Sequence, residues 1–150
     1  MDANDRAVQA IRAHHAALLE GLRQRSDALF AVSAGGTLAA RSDLLAYLSD
    51  EILPHAEAEE TTIYRRGHDL DDLRLLLDAM LAEHARLRAL AGELANEQRD
   101  ARAAAVACAI TELFALHADK ENDLLLPRLA REPGIRVHDL LGEMHELLEG

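Results

Sequence analysis

The chain has 150 residues, a formal net charge of −11 at pH 7, 3% aromatic residues and no tryptophan. That length suits one domain, residues 1–150, with a proper core. The acidic balance argues against nucleic acid, which needs a basic footprint, and against an anionic membrane surface. No stretch shows the roughly 20 unbroken apolar residues of a membrane span. The start, Met-Asp-Ala-Asn-Asp-Arg, lacks the basic-then-apolar pattern of a secretory signal. The lone cysteine, Cys108, permits no intrachain disulfide. A cytoplasmic protein is expected.

Alanine and leucine dominate the apolar residues, which favours helices packed on helices. The first helix is predicted from about Asp5 to Val32, ending where Ala34-Gly35-Gly36 breaks the pattern. A second starts near Ser42 or Asp43, both good N-caps, and ends at Arg65-Arg66-Gly67. The third runs from about Asp71 to Asn96, and the fourth from about Asp100 to just before Pro133-Gly134. A short amphipathic stretch, Val137 to Leu148, closes the chain. Short connections between long helices imply antiparallel neighbours, hence an all-α, up-down-up-down four-helix bundle with a short fifth helix. Pro54 falls inside the second helix, where a kink or a break is expected.

Apolar residues alternate by three and four along one stripe of each long helix, and that stripe carries polar residues. The first helix gives Val8, Ile11, His15, Leu18 and Leu22; the third gives Leu77, Met80, His84, Leu87 and Leu94. In the second, Leu48 and Ile52 lead to His55 and Glu59, then Thr62. In the fourth, Ile110 and Leu113 lead to His117, Glu121 and Leu124. His55-Ala-Glu-Ala-Glu59 and His117-Ala-Asp-Lys-Glu121 are two copies of one motif. Residues i and i+4 share a helix face, so each copy aims an imidazole and a carboxylate at one point. Burying an unpaired carboxylate costs several kcal/mol, so such a stripe needs compensation.

The chain also reads as duplicated. Ala13-His14-His15-Ala16-Ala17-Leu18 is similar to Ala82-Glu83-His84-Ala85-Arg86-Leu87, which marks His15 rather than His14 as the counterpart of His84. A pseudo-twofold bundle would gather His15, His55, Glu59, His84, His117 and Glu121 about one centre. Imidazoles and carboxylates without thiolates suit iron, manganese or zinc, and argue against a structural zinc finger or an iron–sulfur cluster. Two bridging glutamates would leave two histidines for each of two metals and positions open for a small molecule.

A lone His, His-x3-Glu, a second lone His and a second His-x3-Glu, each on its own helix, resemble the hemerythrin-like family of cation-binding domains. The likeness covers about residues 8 to 130 and extends to Ile-Leu-Pro-His-Ala-Glu-Ala-Glu-Glu and to His-Ala-Asp-Lys-Glu-Asn-Asp-Leu-Leu-Leu-Pro. It implies an antiparallel four-helix bundle holding two iron ions bridged by an oxo or hydroxo group, with zinc or manganese as substitutes. Oxygen-carrying members have His-x3-His on the third helix and His-x4-Asp on the fourth. Here Met80 stands four residues before His84, and the acid at x3 is a glutamate. That is closer to the iron-centre-repair and stress-response members, although the separate cysteine-containing N-terminal domain of the repair proteins is not expected in this chain.

The expected partner is therefore a small gas or oxidant: dioxygen, nitric oxide or peroxide. Reversible oxygen storage or sensing, iron storage or donation, and a metal-dependent interaction module are the alternatives. No general base or nucleophile can be named, so turnover is left open. Of the remaining residues, His14, His138 and the His145-x3-Glu149 pair are expected at the surface, and His68 in a connector where Asp72 could join it on a cation. Glu60 and Glu83 are expected to point off the stripe. Met80 is expected as core filler and Cys108 as an inert buried thiol. Tyr64 is either a packing residue or a phenol close enough to a metal to donate to a ligand or to be one.

Overall fold

Asp2 and Asp5 open the first helix, α1 (Ala3–Ala31), with a reciprocal cap. The Asp5 N–H donates to the Asp2 carboxylate at 2.8 Å and the Asp2 N–H to that of Asp5 at 3.3 Å. The computed structural model describes residues 1–32 and 37–150, and 89% of these described residues are helical, with no strand among them. The break expected at Ala34-Gly35-Gly36 lies outside the described residues.

The second helix, α2 (residues 37–67), is already formed at Thr37, several residues before the expected caps. Leu38, Ala39, Ala40 and Arg41 are strong helix formers, and they carry the helix through Ser42 and Asp43. It contains two π-helical turns, Leu48–Ile52 and Glu60–Tyr64. The first accounts for Pro54. Leu53 donates its N–H to the carbonyl of Leu48, five residues back, and the widened turn makes room for the proline ring against the carbonyl four residues earlier. The helix neither breaks nor ends there.

A single 3₁₀ turn, Asp71–Leu73, leads into α3 (Arg74–Asn96), so the regular helix begins three residues later than expected. The fourth helix, α4 (Asp100–Ala130), has its own π turn at Glu121–Leu125, again two residues before a proline, Pro127. The extra residue in that turn rotates the stripe. Leu124, expected inside, is 54% exposed, and Leu125 takes its place at 0%. The last helix, α5, spans Val137–Glu149.

Helix α1 packs against α2 and α4, and α3 packs against the same two. Helix α5 lies across α1 and the middle of α2. Gly67 ends α2 at a close approach: a Cβ there would stand 3.0 Å from Leu77 Cδ1. By length and hydropathy α4 could cross a membrane, but half of its most apolar window is buried inside the protein, and it carries His117 and Glu121 in the core. Cys108 on this helix is exposed, correcting the expected burial. It sits one position off the stripe formed by Val106, Ala107 and Ile110.

The core has two apolar halves. One gathers Leu22, Leu48, Leu94 and Ile110; the other gathers Ile11, Ile63, Leu77, Leu125 and Met144. Each fully buried Leu, Ile or Met contributes about 1.5–3 kcal/mol. Between the halves every long helix contributes buried histidine or glutamate. This polar layer is what the rest of the fold supports.

Candidate metal centre

His15, His55, Glu59, His84, His117 and Glu121 are all buried, none more than 3% exposed, and they converge. His15, His55 and Glu59 form one group whose donor atoms lie within 4.8 Å of one another; Glu59, His84 and His117 form another. Glu59 belongs to both, with Oε1 at 3.2 Å from His15 Nε2 and 2.8 Å from His55 Nε2, and Oε2 at 3.4 Å from His84 Nε2. Its two oxygens thus face two different groups. Glu121 Oε1 is 3.1 Å from His117 Nε2 and 4.0 Å from His15 Nε2, so it also reaches both sides.

The hydrogen bonds on the outer edges of the rings decide what the inner edges can do. His15 Nδ1 lies 2.8 Å from Asn122 Oδ1, and His84 Nδ1 lies 2.9 Å from Glu60 Oε1. Both partners accept, so each ring donates its Nδ1–H outward. A neutral ring then presents the bare Nε2 lone pair inward, toward Glu59 oxygens that are also electron-pair donors. Two donors facing each other at 3.2–3.4 Å need a proton or a metal ion between them. His55 adds to this. Its Nε2 is 2.8 Å from Glu59 Oε1, yet off the hydrogen-bonding direction, and neither of its ring nitrogens has a hydrogen-bond partner. Side chains so placed point past one another at a shared third position. The residues present fit a metal pair.

Charge follows the same logic. Burial opposes ionisation of Glu59, yet His55, His15 and His84 around it hold its carboxyl well below the usual range. Glu121 is pushed up, by burial and then by the charge on Glu59. Burial also opposes charge on His15, but its contact with Glu59 and the charge of Glu121 raise its pKa to about 9. For His117, Glu121 outweighs burial in the same direction. The cluster draws protons in wherever no other cation balances its carboxylates, and a metal would compete for those positions.

Of the two expectations for Tyr64, packing or a phenol beside the metal positions, the structure places its hydroxyl among the candidate ligands. Its hydroxyl lies 2.8 Å from His117 Nε2, 3.4 Å from His84 Nε2 and 3.2 Å from Glu121 Oε2, to which it donates. In a regular α-helix, a residue five positions after Glu59 would point about 140° away. The π turn at Glu60–Tyr64 brings it round to the same face. Burial and the carboxylates of Glu59 and Glu121 push the phenol up.

Glu60 and Glu83 were expected off the stripe, and both turn out to stand behind metal-type histidines. Glu60 takes the His84 Nδ1–H and is held by Arg88 at 2.9 Å. Glu83 lies 3.7 Å from His117 Nδ1, beyond hydrogen-bond reach, and pairs with Lys120. An outer partner in hydrogen-bond contact, as Glu60 is with His84, orients a ligand ring and raises its basicity. Asn122 plays this part for His15, while the backbone carbonyl of the same residue accepts from Arg12. His68 and Asp72 are not together: His68 pairs with Asp78 at 3.0 Å, and Asp72 with Arg128 at 2.7 Å. Connector geometry, which spacing does not encode, separates them. His138 and His145 are exposed, and so is His14, whose ring centroid lies 4.9 Å from that of His55. Met80 is fully buried.

Residues 6–129 match the model of the hemerythrin HHE cation binding domain, and the chain belongs to that family. Neither a curated protein nor a solved structure was found to match it.

Proposed function

From that membership, we propose that the protein is a non-haem di-iron protein that binds or reacts with a small gas or oxidant. The observation that carries this reading is Glu59, whose two oxygens each face a separate pair of buried histidines. His15 and His55 would hold one ion and His84 and His117 the other, with Glu59 and Glu121 spanning them in an antiparallel bundle of the four long helices. Iron bound there supplies an open coordination position and one-electron chemistry.

The residues around the centre divide the work unevenly. Glu60, paired with Arg88, and Glu83, paired with Lys120, place carboxylates behind the His84–His117 pair. Tyr64 closes that side as a ligand, or as a proton donor to whatever Glu121 and His117 hold. On the other side His15 has a neutral partner and His55 has none. The absence of a thiolate and the mixed nitrogen–oxygen set suit iron, with zinc and manganese as competitors. The test is to load the reduced protein with iron and present dioxygen, nitric oxide and peroxide in turn. A stable spectral adduct, or steady consumption of one of them, supports the reading. Release of the iron to an apo-acceptor, with no reaction toward any of the three, would favour iron donation instead.

A further inference from the structure

A small cavity of about 140 Å³ lies where α5 packs against α1. Its walls are Ala10 and Ile11 of α1 and Leu141, Met144 and Leu148 of α5, with His55 also in its lining. His14 and His145, both exposed, are its other polar members. A wider, more polar hollow of about 410 Å³ adjoins it and shares His14, His55 and Leu148. His55 is the member of the proposed ligand set that lines these two cavities. It is 3% exposed, and of the four histidines it alone has no hydrogen bond from either ring nitrogen.

We propose that this cavity is where neutral, weakly polar diatomic molecules, dioxygen or nitric oxide, collect on their way to the His15–His55 half of the centre. The proposal rests on the metal-centre reading and narrows it. The walls are mostly apolar, and a space of about 140 Å³ approaches the size that admits xenon. Hydrogen peroxide carries two hydroxyl groups that meet partners only at the histidine edges and none on Ala10, Ile11, Leu141 and Met144, so the cavity favours it less than a diatomic gas. The opposite half is built differently. There His84 and His117 are backed by Glu60 and Glu83 and covered by Tyr64.

The test uses the full-length chain, both metal-free and iron-loaded, under xenon pressure, with Ala10→Phe as the blocking variant and Leu148→Trp as a second. Ala10 is exposed on α1, so either form of the protein should fold with phenylalanine there. Xenon is expected against Ile11 and Met144 in the parent, with or without metal, and absent in Ala10→Phe. The iron-loaded variant should keep its metal, bind nitric oxide about tenfold more slowly in the reduced state, and react with peroxide at the parental rate. No xenon in the cavity at saturating pressure overturns the proposal whatever the metal content. So does an unchanged nitric oxide rate in both variants. Xenon bound in a chain that takes up no metal overturns instead the reading on which the proposal rests.

Discussion

Tyr64 shows where residue-level reasoning from spacing stops. The i,i+4 pairs His55–Glu59 and His117–Glu121 depend only on helical periodicity, so their convergence could be read directly from the sequence. Tyr64 depends on a π turn, which no spacing rule announces, and its hydroxyl nevertheless ends 2.8 Å from His117. Phenylalanine at this position keeps the ring in its apolar surroundings and removes only the oxygen. With Tyr64→Phe, iron content should stay near the parental level, while any phenolate-to-ferric absorption in the visible range disappears. An unchanged spectrum would show that the phenol is not bound to iron. Glu60 carries a separate expectation. It orients His84 from outside, so Glu60→Gln should weaken metal binding by about 10–100-fold, as measured by competition with a chelator, with the fold intact by circular dichroism.

At the scale of elements, the helices were largely readable and their irregularities were not. The apolar stripes of α1 and α3 are buried as the three-four alternation requires, with Ile11, Leu18, Leu22, Leu77, Met80 and Leu87 inside. The stripe of α4 fails at Leu124, because the π turn hands the inward position to Leu125. In hindsight the signal was proline: Pro54 and Pro127 each lie two residues beyond a π turn. A widened turn lets a ring enter a helix without ending it. The last helix was legible as amphipathic, but its place across α1 and α2 was not, since that depends on the connector after α4. Its buried residues Val137, Leu140 and Met144 complete one apolar half of the core. Met144→Ala should therefore cost about 2–5 kcal/mol in denaturant unfolding. Leu147→Ala, at a 55% exposed position on the same helix, should change stability by less than about 0.5 kcal/mol. Equal effects at both positions would mean that α5 does not dock as described.

For the whole molecule, the polar layer makes stability depend on pH and on metal together. In metal-stripped protein, His15, raised to about 9, contributes stability that is complete below its ordinary value of 6.5 and is lost as pH climbs through 9. Glu121, also raised, loses stability as pH rises above the ordinary carboxylate range. Glu59, held low, acts oppositely and loses its contribution only as pH falls below that range. Stripped protein should then be most stable on the mildly acidic side and melt at lower temperature as pH goes from 6.5 to 9. Loaded protein should not follow this fall, because metal competes with protons for the same atoms and binds better as they leave. Thermal melts of both forms across that range check the sign.

The central claim is that one buried carboxylate is shared by two metal positions, and metal content measures it most directly. Elemental analysis should compare the parent and Glu59→Gln, both purified without added metal and then incubated anaerobically with ferrous iron. The parent should hold about two irons per chain, and the variant, similar in shape but without the charge, should lose most of both. A parent that binds no iron, or a Glu59→Gln protein that keeps the full complement, would contradict the account.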